Sequence, residues 1–178
     1  MTEFQGWDAG ARSGVVPSTE EVVERFKDMV YAICLTHTSC RADADDVFQE
    51  VFLTYHRKQP ECNDDEHRKA WLITTTLMVA RRVAASSYRL RVVPTDPSDF
   101  GAGSAVFSFP EPQHNELFDA LGRLPETYRS VIHLFYFEDL PVARIASILE
   151  LDEGAVKMRL SRGRGMLRKI MTGEGDDV

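Results

Sequence analysis

The sequence predicts an all-α protein of two small helical domains joined by a flexible linker, the C-terminal one a helix-turn-helix. Over most of the chain, apolar residues recur at spacings of three and four, which is the period of an amphipathic helix. Residues 92–113 break this pattern with four prolines, two glycines and three serines, a composition typical of a linker. Near the C-terminus a short amphipathic segment, a turn and a longer amphipathic segment follow one another.

A capping signal precedes the first predicted helix. Residues 1–17 lack periodicity and are expected to form a loose arm. Ser18 and Glu21 then fit a capping box, in which each side chain bonds the backbone amide of the other residue. The apolar stripe that follows predicts a helix to about His37.

Two further helices complete the predicted N-terminal domain. The second spans about residues 43–58, and its acidic first turn suits the positive end of the helix dipole. A loop at residues 59–65 interrupts the periodicity with proline and asparagine. The third helix, capped by Asp64 or Asp65, is expected to continue to about Leu90.

The second domain is predicted to open with two helices. A short apolar cluster at residues 117–121 indicates the first of them. Pro125 is expected in the first turn of the next helix, where its missing amide has no cost. The chain then turns at residues 137–140 into the last segment.

That last segment, residues 141–171, has the pattern of a helix-turn-helix. A short helix with one apolar face leads to a turn, after which Asp152 offers an acceptor to the amides that start the longer helix. The apolar stripe of the longer helix consists of Val156, Leu160, Gly163, Leu167 and Ile170. Its remaining arc carries Lys157, Arg159, Arg162, Arg164, Arg168 and Lys169, with no acid among them. A solvated helix face normally mixes charges, so this one predicts contact with nucleic-acid phosphates.

The predicted organisation follows from these segments. It comprises a loose arm at 1–17, a helical domain at 18–91, a linker at 92–113, a helix-turn-helix domain at 114–171 and an acidic tail at 172–178.

Charge is segregated along the chain. The net charge is −7, yet residues 1–66 hold 14 acids and 6 bases, while residues 81–91 hold four arginines and no acid. This division suggests one surface for DNA and another for a protein partner. No apolar run approaches membrane-spanning length and no secretory signal is visible, so we expect a cytoplasmic protein without membrane insertion.

Catalytic and metal-binding signatures are weak or missing in the sequence. Cys34, His37 and Cys40, with Cys62 as a fourth, are candidate zinc ligands, but their spacing on a helix spreads them over too wide an arc. Buried thiols and a helix-end histidine are the favoured interpretation. No serine–histidine–aspartate set or phosphate loop is present. We therefore expect no enzyme activity, no cofactor and no metal.

Two blocks of the sequence resemble the conserved regions of bacterial sigma factors. The segment LPETYRSVIHLFYFEDLPVARIASILELDEGAVKMRLSRGRGMLRKI is similar to their C-terminal region. DADDVFQEVFLTYHRK, followed by HRKAWLITTTLMVARR, is similar to their N-terminal helical region. Two such regions with only a short linker between them are typical of the extracytoplasmic-function subgroup. The likeness covers about residues 20–91 and 115–171.

The resemblance implies a sigma factor that binds core RNA polymerase and directs promoter-specific initiation, under control of an anti-sigma factor. The implied contacts with the minus-ten element are Arg68, Lys69, Met78, Arg81 and Arg82. Those with the minus-thirty-five element are Lys157, Met158, Ser161 and Arg162, while Arg159, Arg164 and Arg168 meet phosphates. The implied contacts with the polymerase clamp helices are Asp46, Gln49 and Glu50. Trp71 aligns with a family tryptophan that we assign to the core.

Several positions depart from the family pattern. Met78 stands where many members carry an asparagine that contacts the minus-ten strand, and Arg82 stands where an acid or asparagine is common. Pro141 replaces the usual serine cap, Arg144 replaces a glutamate, and Glu150 fills a turn position where glycine is common. The promoter sequence of other members therefore does not transfer to this chain.

Two other classes of protein remain open. A stand-alone helix-turn-helix regulator would use residues 115–171 but leave the N-terminal motif without a role. A sigma-like mimic would sequester an anti-sigma protein without binding DNA. Because the recognition helix keeps its basic residues, the sequence favours the promoter-binding sigma factor over this mimic.

Overall fold

A computed structural model describes residues 17–90 and 112–173, and every regular element in these ranges is an α-helix. The helices are α1 (Thr19–His37), α2 (Arg41–Lys58), α3 (Asp65–Leu90), α4 (Pro112–Arg123), α5 (Glu126–Tyr136), α6 (Val142–Leu149) and α7 (Glu153–Thr172). The all-helical prediction is thereby confirmed. The predicted arm before residue 17, the linker at 92–111 and the tail after residue 173 lie outside the described residues.

The N-terminal domain is a bundle in which α1, α2 and α3 all pack against one another. The predicted capping box is present, since the Ser18 hydroxyl accepts from the amide of Glu21 and the Glu21 carboxylate accepts from the amide of Ser18. Asp64, the first of the two predicted caps, accepts from the amide of His67 at 2.7 Å. The fully buried centre includes Val30 and Val47.

The C-terminal domain packs α5 and α6 against α7, with α4 closing one side. The helix-turn-helix is formed by α6 and α7, as the sequence predicts. Its turn passes through Glu150, whose backbone is left-handed at φ 54° and ψ 46°. A non-glycine residue in this conformation costs roughly 1 kcal/mol, so a glycine at this position would be less strained than Glu150.

Some helix boundaries differ from the prediction. α2 starts at Arg41, two residues early, because the Cys40 sulfur caps it by accepting from the amide of Asp43. α4 starts at Pro112, inside the segment predicted as linker. Pro125 is the N-cap of α5 and lies just outside its first turn.

The two domains are packed together, which the sequence did not predict. Ile33 on α1 and Ala70, Ile73 and Leu77 on α3 belong to the same buried cluster as the core of the C-terminal domain. The flexible linker predicted at residues 92–113 gives no indication of this packing. The docked arrangement arises because α1 and α3 carry a second apolar strip besides the one that closes their own bundle.

Candidate nucleic-acid interface

The recognition helix α7 is held in place by its cap and its apolar stripe. The Asp152 carboxylate accepts from the amide of Ala155 at 2.8 Å, as predicted for the N-cap. Val156, Leu160 and Gly163 are buried against the preceding helices. A Cβ at Gly163 would lie 3.1 Å from Ile132 Cγ1, so the missing side chain allows α5 and α7 to approach closely.

The opposite side of α7 faces solvent. The residues predicted to contact DNA there are Lys157, Met158, Arg159, Ser161, Arg162, Arg164 and Arg168; Arg159 is half-buried and the other six are exposed. We call these seven residues the basic face of α7. Met158 keeps 45% of its surface exposed, which places an apolar contact among the cations.

Most cations of this face have no acidic partner. Within residues 17–90 and 112–173, Lys157 is the member that forms an ion pair, 3.6 Å from Glu153 in the same helix. The Arg164 side chain donates to the carbonyl of Leu160 at 3.1 Å, which directs it along the helix. The side chains of Lys157 and Glu153 are both exposed, so their ion pair contributes little to stability, and Lys157 can readily exchange Glu153 for a DNA phosphate.

On the N-terminal domain, three of the predicted DNA contacts share one side of α3. Met78, Arg81 and Arg82 are spaced three and four residues apart and are all exposed, Met78 at 57%. Arg82 forms an ion pair with Glu50 on α2, and Arg81 forms one with Glu126 on α5. Neither pairing is visible in the sequence, because the partners are 32 and 45 residues away.

The structure corrects the interpretation of Arg68. Its side chain is only 5% exposed, its Nε donates to the Tyr55 hydroxyl at 3.1 Å, and its guanidinium also pairs with Asp65. Arg68 therefore holds α3 against α2 and is not available to DNA in this arrangement. Its neighbour Lys69 points to the other domain, where its Nζ lies 3.2 Å from a carboxylate oxygen of Glu138 and 3.0 Å from the Glu138 carbonyl.

The predicted polymerase contacts form one side of α2. Asp46 and Gln49 are exposed, while Glu50 is half-buried and pairs with Arg82. Leu53 continues the same side one turn further and keeps 44% of its surface exposed. The sequence reading missed Leu53, although an apolar residue next to a charged triad at this spacing could have signalled it.

The remaining aromatic and cysteine predictions concern the interior. Trp71 is half-buried, with its ring centroid 5.6 Å from that of Tyr55 in an edge-to-face contact, so it packs in the domain as expected. Burial raises the pKa of the Cys34 thiol to about 12. Among residues 17–90 and 112–173 there is no group of three histidine, cysteine or acidic side chains arranged to hold a metal ion.

These features define a class: a two-domain helical DNA-binding protein whose helix-turn-helix exposes a basic recognition helix. The chain matches the family model "Sigma-70 region 2" over residues 22–90 and "Sigma-70, region 4" over residues 114–167. It belongs to the sigma-70 family, as an RNA polymerase sigma factor of the ECF type. Sigma factors direct promoter-specific transcription initiation, bind core RNA polymerase and DNA, and are transcription factors rather than enzymes.

Curated relatives and solved structures agree with this assignment. The ECF sigma factor SigW of Bacillus subtilis is 28% identical over 161 residues, covering 84% of this chain and 86% of SigW. SigE of Mycolicibacterium smegmatis is 30% identical over 176 residues, covering 93% of this chain and 66% of SigE.

The fold is also similar to that of solved complexes. CnrH, solved with the cytosolic domain of CnrY, superposes with a TM-score of 0.65 at 20% identity, covering 92% of this chain and 94% of CnrH. RpoE of Bartonella quintana, solved with the anti-sigma factor NepR, gives a TM-score of 0.60 at 20% identity, covering 89% and 98%. None of the helices in the described ranges is long and apolar enough to cross a lipid bilayer.

Proposed function

We propose that this sigma factor holds its promoter at two points, with the basic face of α7 on the minus-thirty-five element and α3 on the minus-ten element. The observation that carries the first contact is the row of cations on α7, most of them exposed, of which Lys157 alone pairs with an acid among the described residues, Glu153 of the same helix. Lys157, Met158, Ser161 and Arg162 lie near the N-terminal half of the helix, the part that enters the major groove in helix-turn-helix proteins. Arg159, Arg164 and Arg168 flank them and suit phosphates.

For the minus-ten element we propose Lys69, Met78, Arg81 and Arg82 as contacts. Three of them are cations on a single helix, which favours binding to a negatively charged strand. Met78 supplies an exposed apolar side chain that is suited to packing against an unstacked base. Arg68 is left out of this set because it is buried.

We propose that core polymerase binds the side of α2 formed by Asp46, Gln49, Glu50 and Leu53. Exposed acids around an exposed leucine suit a partner surface with basic residues around an apolar pocket. Because the fold superposes on sigma factors solved with CnrY and NepR, we also infer control by an anti-sigma protein. We place the protein in the cytoplasm, where its DNA and polymerase are.

Run-off transcription tests the function directly. Purified protein added to core polymerase should give discrete transcripts from promoters selected by the reconstituted holoenzyme. Leu53→Asp should reduce co-purification with core polymerase and transcript yield at least about tenfold, the effect of burying an unpaired charge in an interface. The exposed acid Glu20 offers a control on α1, and Glu20→Gln should change neither quantity.

The alternatives predict different results in the same assay. A stand-alone regulator would bind an operator tightly without polymerase and would not co-purify with it. A sigma-like mimic would bind an anti-sigma protein yet give no transcripts with core polymerase. Either result would exclude the proposed function.

A further inference from the structure

The exposed side of α7 is not uniformly charged. Met158 is two residues from Val156 and two from Leu160, both buried, and so lies about 200° around the helix from each of them. The side of the helix that Met158 occupies is therefore directly opposite the buried stripe. Its exposed residues, at successive intervals of four, three and four, are Gly154, Met158, Ser161 and Gly165, which we call the centre line of α7. None of these residues carries a charge.

Cations lie on both flanks of this centre line. A helix turns by about 100° per residue, so residues on either side of the centre line belong to different flanks. The cations of the basic face divide into Lys157, Arg164 and Arg168 on one flank and Arg159 and Arg162 on the other. A sixth cation, Lys169, follows Gly165 one turn later, toward the C-terminal end of the helix. A helix placed in the major groove with its centre line toward the base edges therefore directs cations toward the phosphates of both strands.

Two of the four centre-line residues are glycines and leave the backbone uncovered. A Cβ at Gly154 would lie 2.9 Å from Asp152 Oδ1, so the N-cap accounts for this glycine. At Gly165 an added Cβ would have no atom beyond its own stretch of helix within 4 Å among the described residues, so packing inside the protein does not account for it. An exposed glycine weakens a helix relative to alanine but lets a partner approach the backbone closely. Gly165 therefore fits a helix that DNA approaches along its centre line.

Met158 is the apolar side chain of the centre line. It keeps 45% of its surface exposed and, like other helical side chains, leans toward the N-terminus, where Gly154 has no side chain to cover it. The N-terminal part of a recognition helix is the part that contacts base edges. A thioether has no hydrogen-bond donor and is only a weak acceptor, so it does not read the hydrogen-bonding pattern of a base. The apolar group that a base edge presents in the major groove is the C5 methyl of thymine.

We propose that Met158 selects thymine at one position of the minus-thirty-five element by packing against its C5 methyl group. The proposal deepens the proposed function and rests on it, because it takes α7 as the minus-thirty-five contact. Ser161, the other centre-line side chain, has a hydroxyl that both donates and accepts, so it tolerates different bases. The preference for thymine therefore belongs to Met158. Burial of one methyl group corresponds to about a fourfold change in affinity.

Promoters selected by the reconstituted holoenzyme provide the probe. Duplexes of random sequence that bind holoenzyme containing the full-length protein should show, on sequencing, one position of the minus-thirty-five element that is predominantly thymine. Holoenzyme carrying Met158→Ala should select the same element with a weaker preference at that position and unchanged preferences elsewhere. A selected element without thymine, or a preference that Met158→Ala leaves intact at every thymine, would contradict the proposal.

Exchange of thymine for uracil tests the methyl group itself. Uracil keeps the base pairing and the O4 acceptor and lacks only the C5 methyl. On a labelled promoter duplex, the exchange at the selected position should weaken binding of the unmodified holoenzyme about fourfold, measured by fluorescence anisotropy. Holoenzyme carrying Met158→Ala should bind the thymine and uracil duplexes equally. An equal loss for both proteins on this exchange would overturn the proposal, as would the absence of any loss for the unmodified protein.

Three further variants separate the methyl contact from a general loss of apolar surface. Met158→Leu keeps an apolar side chain and should retain the preference for thymine over uracil, whereas Met158→Gln keeps the length but ends in an amide and should lose it. Met171 is the matched control, because it is a methionine exposed at 57% about 20 Å further along the same helix. Met171→Ala should discriminate against uracil as the unmodified protein does. Persistence of the preference in Met158→Gln, or its loss in Met171→Ala, would count against the proposal.

The thymine contact and the proposed function fail in different ways. If the holoenzyme transcribes from selected promoters but uracil exchange has no effect on binding, only the thymine contact fails. If the holoenzyme neither binds nor transcribes any selected promoter, the proposed function itself fails, and the thymine contact fails with it.

Discussion

At the scale of single residues, chemically similar neighbours on α3 have different surroundings. Arg68 is buried and bonded to Tyr55 within its own domain, whereas Lys69, the next residue, reaches Glu138 of the other domain. A helix turns by 100° per residue, so adjacent side chains face different partners. Charge alone therefore does not identify a DNA contact, and its position around the helix must be known.

The basic face of α7 gives a prediction at this scale. Replacing Lys157 and Arg162 with alanine should weaken binding of the holoenzyme to promoter duplex and lower the slope of log K against log salt, because two cations are removed from the interface. Both effects can be measured by fluorescence anisotropy at salt concentrations from about 50 to about 200 mM.

The matched control removes two cations elsewhere. Lys27 and Lys58 lie on α1 and α2, outside the proposed DNA surfaces, and their joint replacement by alanine should leave the salt slope nearly unchanged. An unchanged slope for the Lys157, Arg162 variant would remove α7 from the interface.

At the scale of elements, α7 depends on features at its start and its middle. Its N-cap Asp152 satisfies the amide of Ala155, and its Gly163 permits close contact with α5. A Cβ at Gly154 would lie 2.9 Å from the Asp152 carboxylate, which gives a local reason for a glycine that helix propensity alone disfavours. The helix is thus fitted to its turn and to its packing partner as well as to DNA.

Removal of the N-cap should loosen the first turn of the recognition helix. Asp152→Ala leaves the amide of Ala155 without its acceptor, and we expect a loss of about 1 kcal/mol of stability, measured by urea unfolding. Asp152→Asn keeps a cap acceptor and should lose only a small fraction of this. Equal losses for the two variants would mean that the carboxylate acts through its charge and not through the cap.

At the scale of the whole molecule, the docked state contains a buried histidine pair. The rings of His37 and His133 are 6.0 Å apart between α1 and α5. Burial lowers the pKa of His37 from 6.5 to about 3, with further lowering by His133, Arg129 and Arg81 and an opposing effect of the Ile33 carbonyl. The Ser130 hydroxyl faces the Nε2 atom of His37.

Docking should therefore weaken in mild acid. Exposed His37 binds a proton below about pH 6.5 and docked His37 does not until about pH 3, so the docked form loses stability as pH falls between these values. Between pH 7.5 and 5.5 the equilibrium should shift toward the open form, in which the domains are apart, by about tenfold, seen as a larger radius of gyration by small-angle X-ray scattering.

Protonation of Glu138 affects docking only at a lower pH. Burial is the largest single effect and raises the pKa of Glu138, but the combined opposing effects of His133 and Lys69 hold the pKa below its ordinary value of 4.5. Its contribution is therefore lost only as pH falls below 4.5. His37→Gln should accordingly give a radius of gyration that does not change between pH 7.5 and 5.5. A variant as sensitive to pH as the unmodified protein would exclude His37 as the titrating group.

Much of the fold followed from local signals. The capping box at Ser18, the cap at Asp152 and the apolar stripes predicted the helices, because these features act within a few residues along the chain. The family likeness supplied most of the candidate site. The boundary error at Arg41 arose because a cysteine sulfur is not a usual cap, and the error at Pro112 arose because this proline was counted with the linker, although proline is common at the first position of a helix.

By itself the sequence determined the all-helical architecture, the helix-turn-helix and the basic face of α7, since periodicity, caps and charge are encoded locally. Only the tertiary structure decided that Arg68 is buried, that Glu50 pairs with Arg82, and that Glu138 and Glu126 pair with Lys69 and Arg81. These contacts join residues 13 to 69 positions apart. They depend on how the helices dock, which is set by packing of apolar surfaces that no local pattern specifies.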